Sequence, residues 1–158
     1  MTSNNLPDST RVWIYQSSRP FNDDETLHLR ANLQQFAQQW TSHNRQLRSH
    51  ADVLYNRFLV LMVDETMAGA SGCSIDKSVH FMQQIGHSFN TDLFDRMNFA
   101  WKDGDIVKTA SSEEFAQLYQ KGNINDQTLV FDNLVKTKGE LEEKWLKPLN
   151  ESWHKRFV

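Results

Sequence analysis

Phe58-Leu59-Val60-Leu61-Met62-Val63 is an unbroken apolar run that stops at Asp64-Glu65. A run this short, bounded by charge, fits a strand buried on both faces better than a helix. Its lead-in, Leu47 to Tyr55, either pairs with it or is itself strand. Further upstream, Arg11-Val12-Trp13-Ile14-Tyr15-Gln16-Ser17 is β-branched and aromatic on both faces, which predicts a second strand near the centre of the same sheet. Between the two, Asn22 or Asp23 caps a helix whose Leu29, Leu33, Phe36 and Trp40 form one apolar stripe. The Gln pairs 34/35 and 38/39 fall away from that stripe.

Downstream, Gly69 to Ser74 is a loop of small residues, and the pattern Val79, Met82, Ile85 and Phe89 predicts a helix from about Asp76 to Ser88. Met97 to Lys102 and Asp105 to Thr109 flank Asp103-Gly104, a dipeptide suited to a type I′ hairpin turn. Ser111-Ser112-Glu113-Glu114 opens a short helix that Gly122 closes, and Gln127 to Val135 follows as strand. Thr137-Lys138-Gly139-Glu140 is a second capping box. After it Leu141, Trp145, Leu149 and Trp153 fall on one helical row, with Pro148 kinking or splitting that helix. Strands and helices mix without alternating. The expected class is therefore α+β, a mixed or antiparallel sheet flanked by helices, in one domain over 11–158 behind a flexible tail over 1–10.

The chain has 158 residues, enough to bury a core without staples, and its ten Phe and five Trp supply large apolar areas. Net charge is −3, with Lys and Arg interleaved among acids, as in Lys138-Gly139-Glu140-Leu141-Glu142-Glu143-Lys144. Nucleic-acid binding draws on phosphate neutralisation, so this balance excludes it as an expectation. The lone Cys73 permits no internal disulfide, which fits a reducing compartment. The first ten residues are polar, and no run of about 18 apolar residues occurs. The expected location is cytoplasmic, with no membrane partner.

Gly69-Ala70-Ser71-Gly72-Cys73-Ser74-Ile75-Asp76-Lys77-Ser78 follows a strand and precedes a helix, the context of a P-loop. The motif G-x-x-x-x-G-K-[ST] fixes both glycines relative to the lysine. Counting back from Lys77 puts Ser71 and Asp76 at those places, and a carboxylate would stand where phosphate needs backbone N–H groups. A second use of the loop centres on Cys73. Set before a helix with Lys77 and His80 close in sequence, it is a candidate reactive thiol, with Cys73, Asp76, Lys77 and His80 as the catalytic set. The competing reading makes Cys73 a small buried hydrophobe and Ser74 or Asp76 the helix cap. Asp76 and His80 share a helical face, but a third metal ligand has no source, so neither a metal nor a cofactor is expected.

Arg11 to Pro20, Tyr55-Asn56-Arg57-Phe58, the loop just quoted and Asp92-Leu93-Phe94-Asp95-Arg96 together resemble an uncharacterised bacterial family often labelled "ABC transporter ATPase". That label implies Walker A, signature and Walker B motifs, and the sequence carries none of them. A second resemblance covers Phe99 to Phe131, which is similar to the hairpin–helix–strand part of GYF-like domains, although no Gly-Tyr-Phe triplet occurs. Such domains bind peptides through exposed aromatics. Trp101 lies one residue from the hairpin turn, where a large ring is hard to bury from both sides, so it is expected, with Tyr119 or Phe131, to contribute to an exposed contact surface. The expected function is a non-enzymatic domain that binds a protein, a peptide or another copy of itself, and the alternative is a small thiol- or ligand-dependent enzyme built on residues 69–80. Either way, tight MgATP binding and turnover are not expected. Calorimetry with purified protein should show no heat of binding at micromolar MgATP, and an affinity abolished by Lys77→Ala would overturn the reading of the loop.

Overall fold

The computed structural model describes residues 5–158. It is α+β, and every strand pairing among the described residues is antiparallel. By its contacts the chain gathers into two compact units, a division that no linker composition marks. The first runs to Phe94 and includes Lys136–Gly139, and the second comprises Asp95–Val135 and Glu140–Val158.

The first unit is built on the apolar run. β1 (Arg11–Gln16), α1 (Asp23–Gln39), the small hairpin β2 (Thr41–Ser42) and β3 (Arg45–Gln46), β4 (Arg48–Leu54), β5 (Phe58–Asp64) and α2 (Gly72–Ser88) follow in order. β5 lies between β1 and β4, and all seven of its residues are buried. A strand hydrogen-bonded on both sides and covered on both faces needs side chains that lose nothing by leaving water, which is why its sequence has no alternation. β1 is therefore an edge of this sheet and not its centre. On its outer side Arg11 bridges Thr137, and Val12 N donates to Lys136 O at 2.9 Å.

Leu59, Leu61 and Val63 of β5 pack with Leu29, Leu33 and Ala37 of α1 and Met82 and Ile85 of α2. Asn22 caps α1 through the expected box with Glu25. Arg30 ties that helix to β4, donating to Asp52 Oδ1 at 2.7 Å and to Val53 O at 3.0 Å. Of the tail expected over residues 1–10, Met1–Asn4 lie outside the described residues. The remainder is not frayed: Leu6 is buried, Lys138 N donates to Thr10 O at 2.8 Å and Gly139 N to Asp8 O at 3.0 Å.

The second unit holds a sheet of order β7-β6-β8-β9, made of β6 (Asn98–Asp103), β7 (Ile106–Ser111), β8 (Leu129–Phe131) and β9 (Leu146–Pro148). The hairpin forms with Asp103 opposite Ile106, so the turn residues are Gly104 and Asp105, one place later than the dipeptide suggested. Only Gly104 has positive φ (63°), which is the type II′ pattern and not type I′. α3 (Ser112–Gln120) is capped by Ser111, whose side chain accepts from Glu114 N, and ends before Gly122 at φ 78°. α4 (Lys138–Lys144) stops early, because Pro148 has no N–H for a helix and the chain turns extended at β9. The long last helix is thus split: Trp145 leads into a strand, while Trp153 opens a short 3-10 segment, Trp153–Phe157.

That segment delivers His154 into an aromatic box. The imidazole stacks on Trp153 with ring centres 3.8 Å apart, meets Phe99 edge-on at 4.8 Å, and shares a 2.6 Å hydrogen bond with Ser152 Oγ. Burial pushes its pKa down to about 4; Asp132 opposes that shift and Lys147 adds to it. Between pH 6.5 and about 4 the unfolded chain therefore binds a proton that the folded one refuses. Stability should be complete above that window and fall by up to about 3 kcal/mol as pH drops through it. Urea midpoints of the wild type and His154→Phe, measured from pH 7 to 4.5, should diverge in slope, the variant being the flatter. Parallel curves would show that another group governs the acid limb.

Candidate functional site

Residues from distant parts of the first unit meet where α2 ends. This helix is held at both ends. At its start Ser71, not Ser74 or Asp76, is the cap: Ser71 and Ser74 exchange capping-box bonds, and Trp40 Nε1 donates to Ser74 O at 2.9 Å. At its finish the chain reverses through Asn90 (φ 51°). Asn90 N donates to His87 O at 3.3 Å and Thr91 N to Gly86 O at 2.9 Å, the paired bonds of a Schellman motif.

Arg19, just past β1, completes this end. Its guanidinium grips both oxygens of Glu25 at 3.0 and 2.6 Å, donates to Phe89 O at 2.6 Å, and reaches Asn90 O at 3.4 Å. Arg19 and the bond from Asn22 N hold the Glu25 carboxyl down to about 2. One side chain thus joins the exit of β1, the N-terminal box of α1 and the last carbonyls of α2, where a cation is favoured by the helix dipole. Arg57 supports the same corner from the β4–β5 turn, donating to Ser17 O at 3.3 Å and Ser18 O at 3.1 Å. Ser18 N donates to Asp92 O at 2.9 Å and Asp92 N to Ser18 Oγ at 3.0 Å, while the Thr91 hydroxyl lies 2.6 Å from Ser17 Oγ.

An open cleft of about 630 Å³ lies against this corner, with Ser18, Gln83, His87, Asn90, Asp92 and Phe94 in its wall. A second depression of about 470 Å³ continues along α2 between His80 and Ser88, and Gln83 and His87 belong to both. The depressions follow from the periodicity of α2. Ser74, Ser78, Met82, Ile85 and Gly86 turn inward, so the opposite stripe, Cys73, Asp76, Lys77, His80, Gln83, Gln84 and His87, faces outward.

The candidate catalytic residues sit on the first half of that outward stripe. Cys73 is exposed in the first turn, so it is not the small buried hydrophobe of the competing reading. His80 is seven residues further along the helix, about 10 Å at 1.5 Å per residue, too far for thiolate and imidazole to share a proton. Asp76 and Lys77 are likewise exposed, and neither of the two depressions described above brings the four together. Of the four, His80 lines the second depression. Among the described residues no three potential ligands are grouped to hold a metal ion.

The expected aromatic surface does not form. Trp101 is 6% exposed and Phe131 1%. Although Trp101 is near the hairpin tip in sequence, β6 is an inner strand: Trp101 lies between Lys108 of β7 and Val130 of β8, and its ring packs edge-on to Phe115 of α3 at 5.6 Å. Tyr119 is partly exposed but occupied, donating to Asp126 Oδ1 at 2.7 Å while Lys155 Nζ donates to its hydroxyl at 2.7 Å. No helix among the described residues is long and apolar enough to cross a membrane.

No protein-family model, curated protein or solved structure matches the chain. Function must therefore be argued from the geometry. The cleft residues Ser18, Gln83, His87, Asn90 and Asp92 carry no composition signal. The available clue was the repeated polar stripe His80, Gln83, Gln84, His87 opposite the apolar positions of α2.

The corner makes a stability prediction with an internal control. Alanine for glycine inside a helix ordinarily stabilises. At Gly86, however, a Cβ would stand 2.9 Å from Thr91 O, a backbone atom fixed by the Schellman return. Gly86→Ala should cost about 1–2 kcal/mol in chemical denaturation. Gly72→Ala, where a Cβ meets nothing within 4 Å, should be neutral or better. Equal effects at the two sites would show that the return after α2 yields easily.

Proposed function

We propose that this protein is a non-enzymatic binding domain that recognises a segment of another protein chain, and that its contact surface is the groove along the outer stripe of α2. The observation that carries this reading is the continuity of the two depressions from His80 to Asp92, sharing Gln83 and His87. The side chains of His80, Gln83, Gln84 and His87 make no hydrogen bond or ion pair among the described residues. Amide and imidazole groups standing free along a helix present alternating donors and acceptors, which suits the N–H and C=O groups of an extended peptide. The backbone beneath them is fixed at both ends, by Trp40 and by Arg19, so little ordering cost attends binding.

A displayed peptide library selected on the folded protein tests the proposal. Selected peptides should bind with micromolar affinity, and the double variant Gln83→Ala/His87→Ala should weaken them at least tenfold, about 1.4 kcal/mol, while its melting temperature stays within a degree or two. Selected peptides indifferent to both substitutions, or a library that yields no binder, would overturn the reading.

A further inference from the structure

The cleft beside Asp92 has a charge character that narrows its occupant, and the inference drawn from it rests on the binding reading above. Its wall holds one carboxylate, Asp92, and no lysine or arginine. The neighbouring cation, Arg19, is already neutralised by its two-point grip on Glu25, and its remaining donors go to Phe89 O, Asn90 O and Pro20 O. The wall also includes His87, in the last turn of α2.

Asp92 is exposed and makes no ion pair among the described residues. Its Oδ1 accepts from Phe94 N at 2.8 Å, which fixes the orientation of the carboxylate. Phe94 is 44% exposed in the same wall, its ring supported edge-on by Tyr15 with centres 5.5 Å apart. The side-chain amides of Gln83 and Asn90 add further acceptors without internal partners.

We infer that the cleft recognises a primary ammonium group, as borne by a lysine side chain or a free amine, with Asp92 as its counter-charge, the Gln83 and Asn90 amides as acceptors and Phe94 as an aromatic wall. The carboxylate, the amide oxygens and the ring favour the same sign. A carboxylate attracts the cation and accepts its hydrogen bonds, and an aromatic ring draws a cation through its quadrupole. An anion would find donors in the hydroxyls, amides and imidazole of the wall but would be opposed by the carboxylate of Asp92. A neutral sugar would find hydroxyl partners but leave the charge of Asp92 unused.

The test is a chemical-shift titration of the isotope-labelled full chain with Nα-acetyl-lysine-N-methylamide, the same compound acetylated at Nε, glucose and inorganic phosphate. The lysine derivative should move the backbone amides of Asn90 to Phe94 in the millimolar range expected of so small a ligand, and the Nε-acetyl compound, glucose and phosphate should not. Asp92→Asn keeps an acceptor for Phe94 N and should therefore preserve the loop, yet weaken the lysine derivative at least about fivefold. Raising salt to about 0.5 M should weaken it similarly. A lysine-bearing peptide that binds about tenfold tighter than the derivative would identify a protein as the source of the amine; equal affinities would identify a free amine.

Equal shifts from the acetylated and unmodified compounds, indifference to Asp92→Asn, or preference for glucose or phosphate would each overturn the ammonium assignment. Selected peptides that depend on Gln83 and His87 but not on charge would show that assignment to be wrong while the groove reading stands. Peptides indifferent to Gln83 and His87 combined with a lysine derivative that still depends on Asp92 would show the reverse.

Discussion

The contact on which the first unit depends is the grip of Arg19 on the end of α2. A helix end leaves carbonyls without partners, and at a sheet corner water is a poor substitute for a fixed donor. Here a single guanidinium satisfies Phe89 O and Asn90 O and, through Glu25, closes the N-terminal box of α1. The charge pairing is half-exposed, so its Coulomb energy alone is modest. Its value is geometric. Five directed donors on a planar group can hold three chain segments in one arrangement, which a lysine could not do.

That arrangement has a consequence for the surface. With Trp40 fastening the first turn of α2 and Arg19 the last, the rotation of the helix about its axis is set, and Phe81 stacks on Phe36 at 4.4 Å to keep it so. The outward stripe of polar side chains is thereby presented on a rigid support. Such a stripe on a mobile helix would lose most of its contact energy to ordering. Rigidity at both ends is what makes it plausible as a recognition surface and not merely a solvated face.

The elements legible in the sequence were those whose signal is local. β5 announced itself as an apolar run, the Asn22 and Ser111 caps as side chains spaced for backbone donors, and the Leu29–Trp40 stripe as a period of 3.6. What failed depended on partners far away in the chain. β1 reads as central because it is apolar on both sides, yet it is an edge, since sheet order is decided by which segments fold together. The helical row Leu141, Trp145, Leu149 and Trp153 is a true periodicity, but Pro148 and the pairing of Leu146–Pro148 with Leu129–Phe131 override it. Cys73 stood in a helix that begins four residues earlier than its apolar positions require, because Ser71 and not Asp76 offers the capping oxygen. The cleft was hidden for the same reason: Ser18, Gln83 and Asp92 are ordinary residues until the Schellman return brings them together.

The aromatic content misled in a more instructive way. Ten Phe and five Trp look like a surplus when set against one core of ordinary size. The chain instead builds compact units that each enclose little volume, and a small core has few positions with which to bury apolar area. Large rings are the efficient answer, because one side chain removes 150–250 Å² from water, as a general magnitude. The second unit shows this directly. Phe99 meets Phe115, Trp153, His154 and Phe157 at ring separations of 4.8–5.4 Å, and Trp101 packs on Phe115 behind it. Edge-to-face contact lets several rings share one site without stacking frustration, so a box of five is self-consistent where five aliphatic chains would leave gaps. Most of the tryptophan in this short chain is thus taken up by the interior: Trp40, Trp101 and Trp145 are buried, and Trp13 and Trp153 partly so. The contact surface proposed for this chain is accordingly built mainly from polar side chains that the interior had no use for.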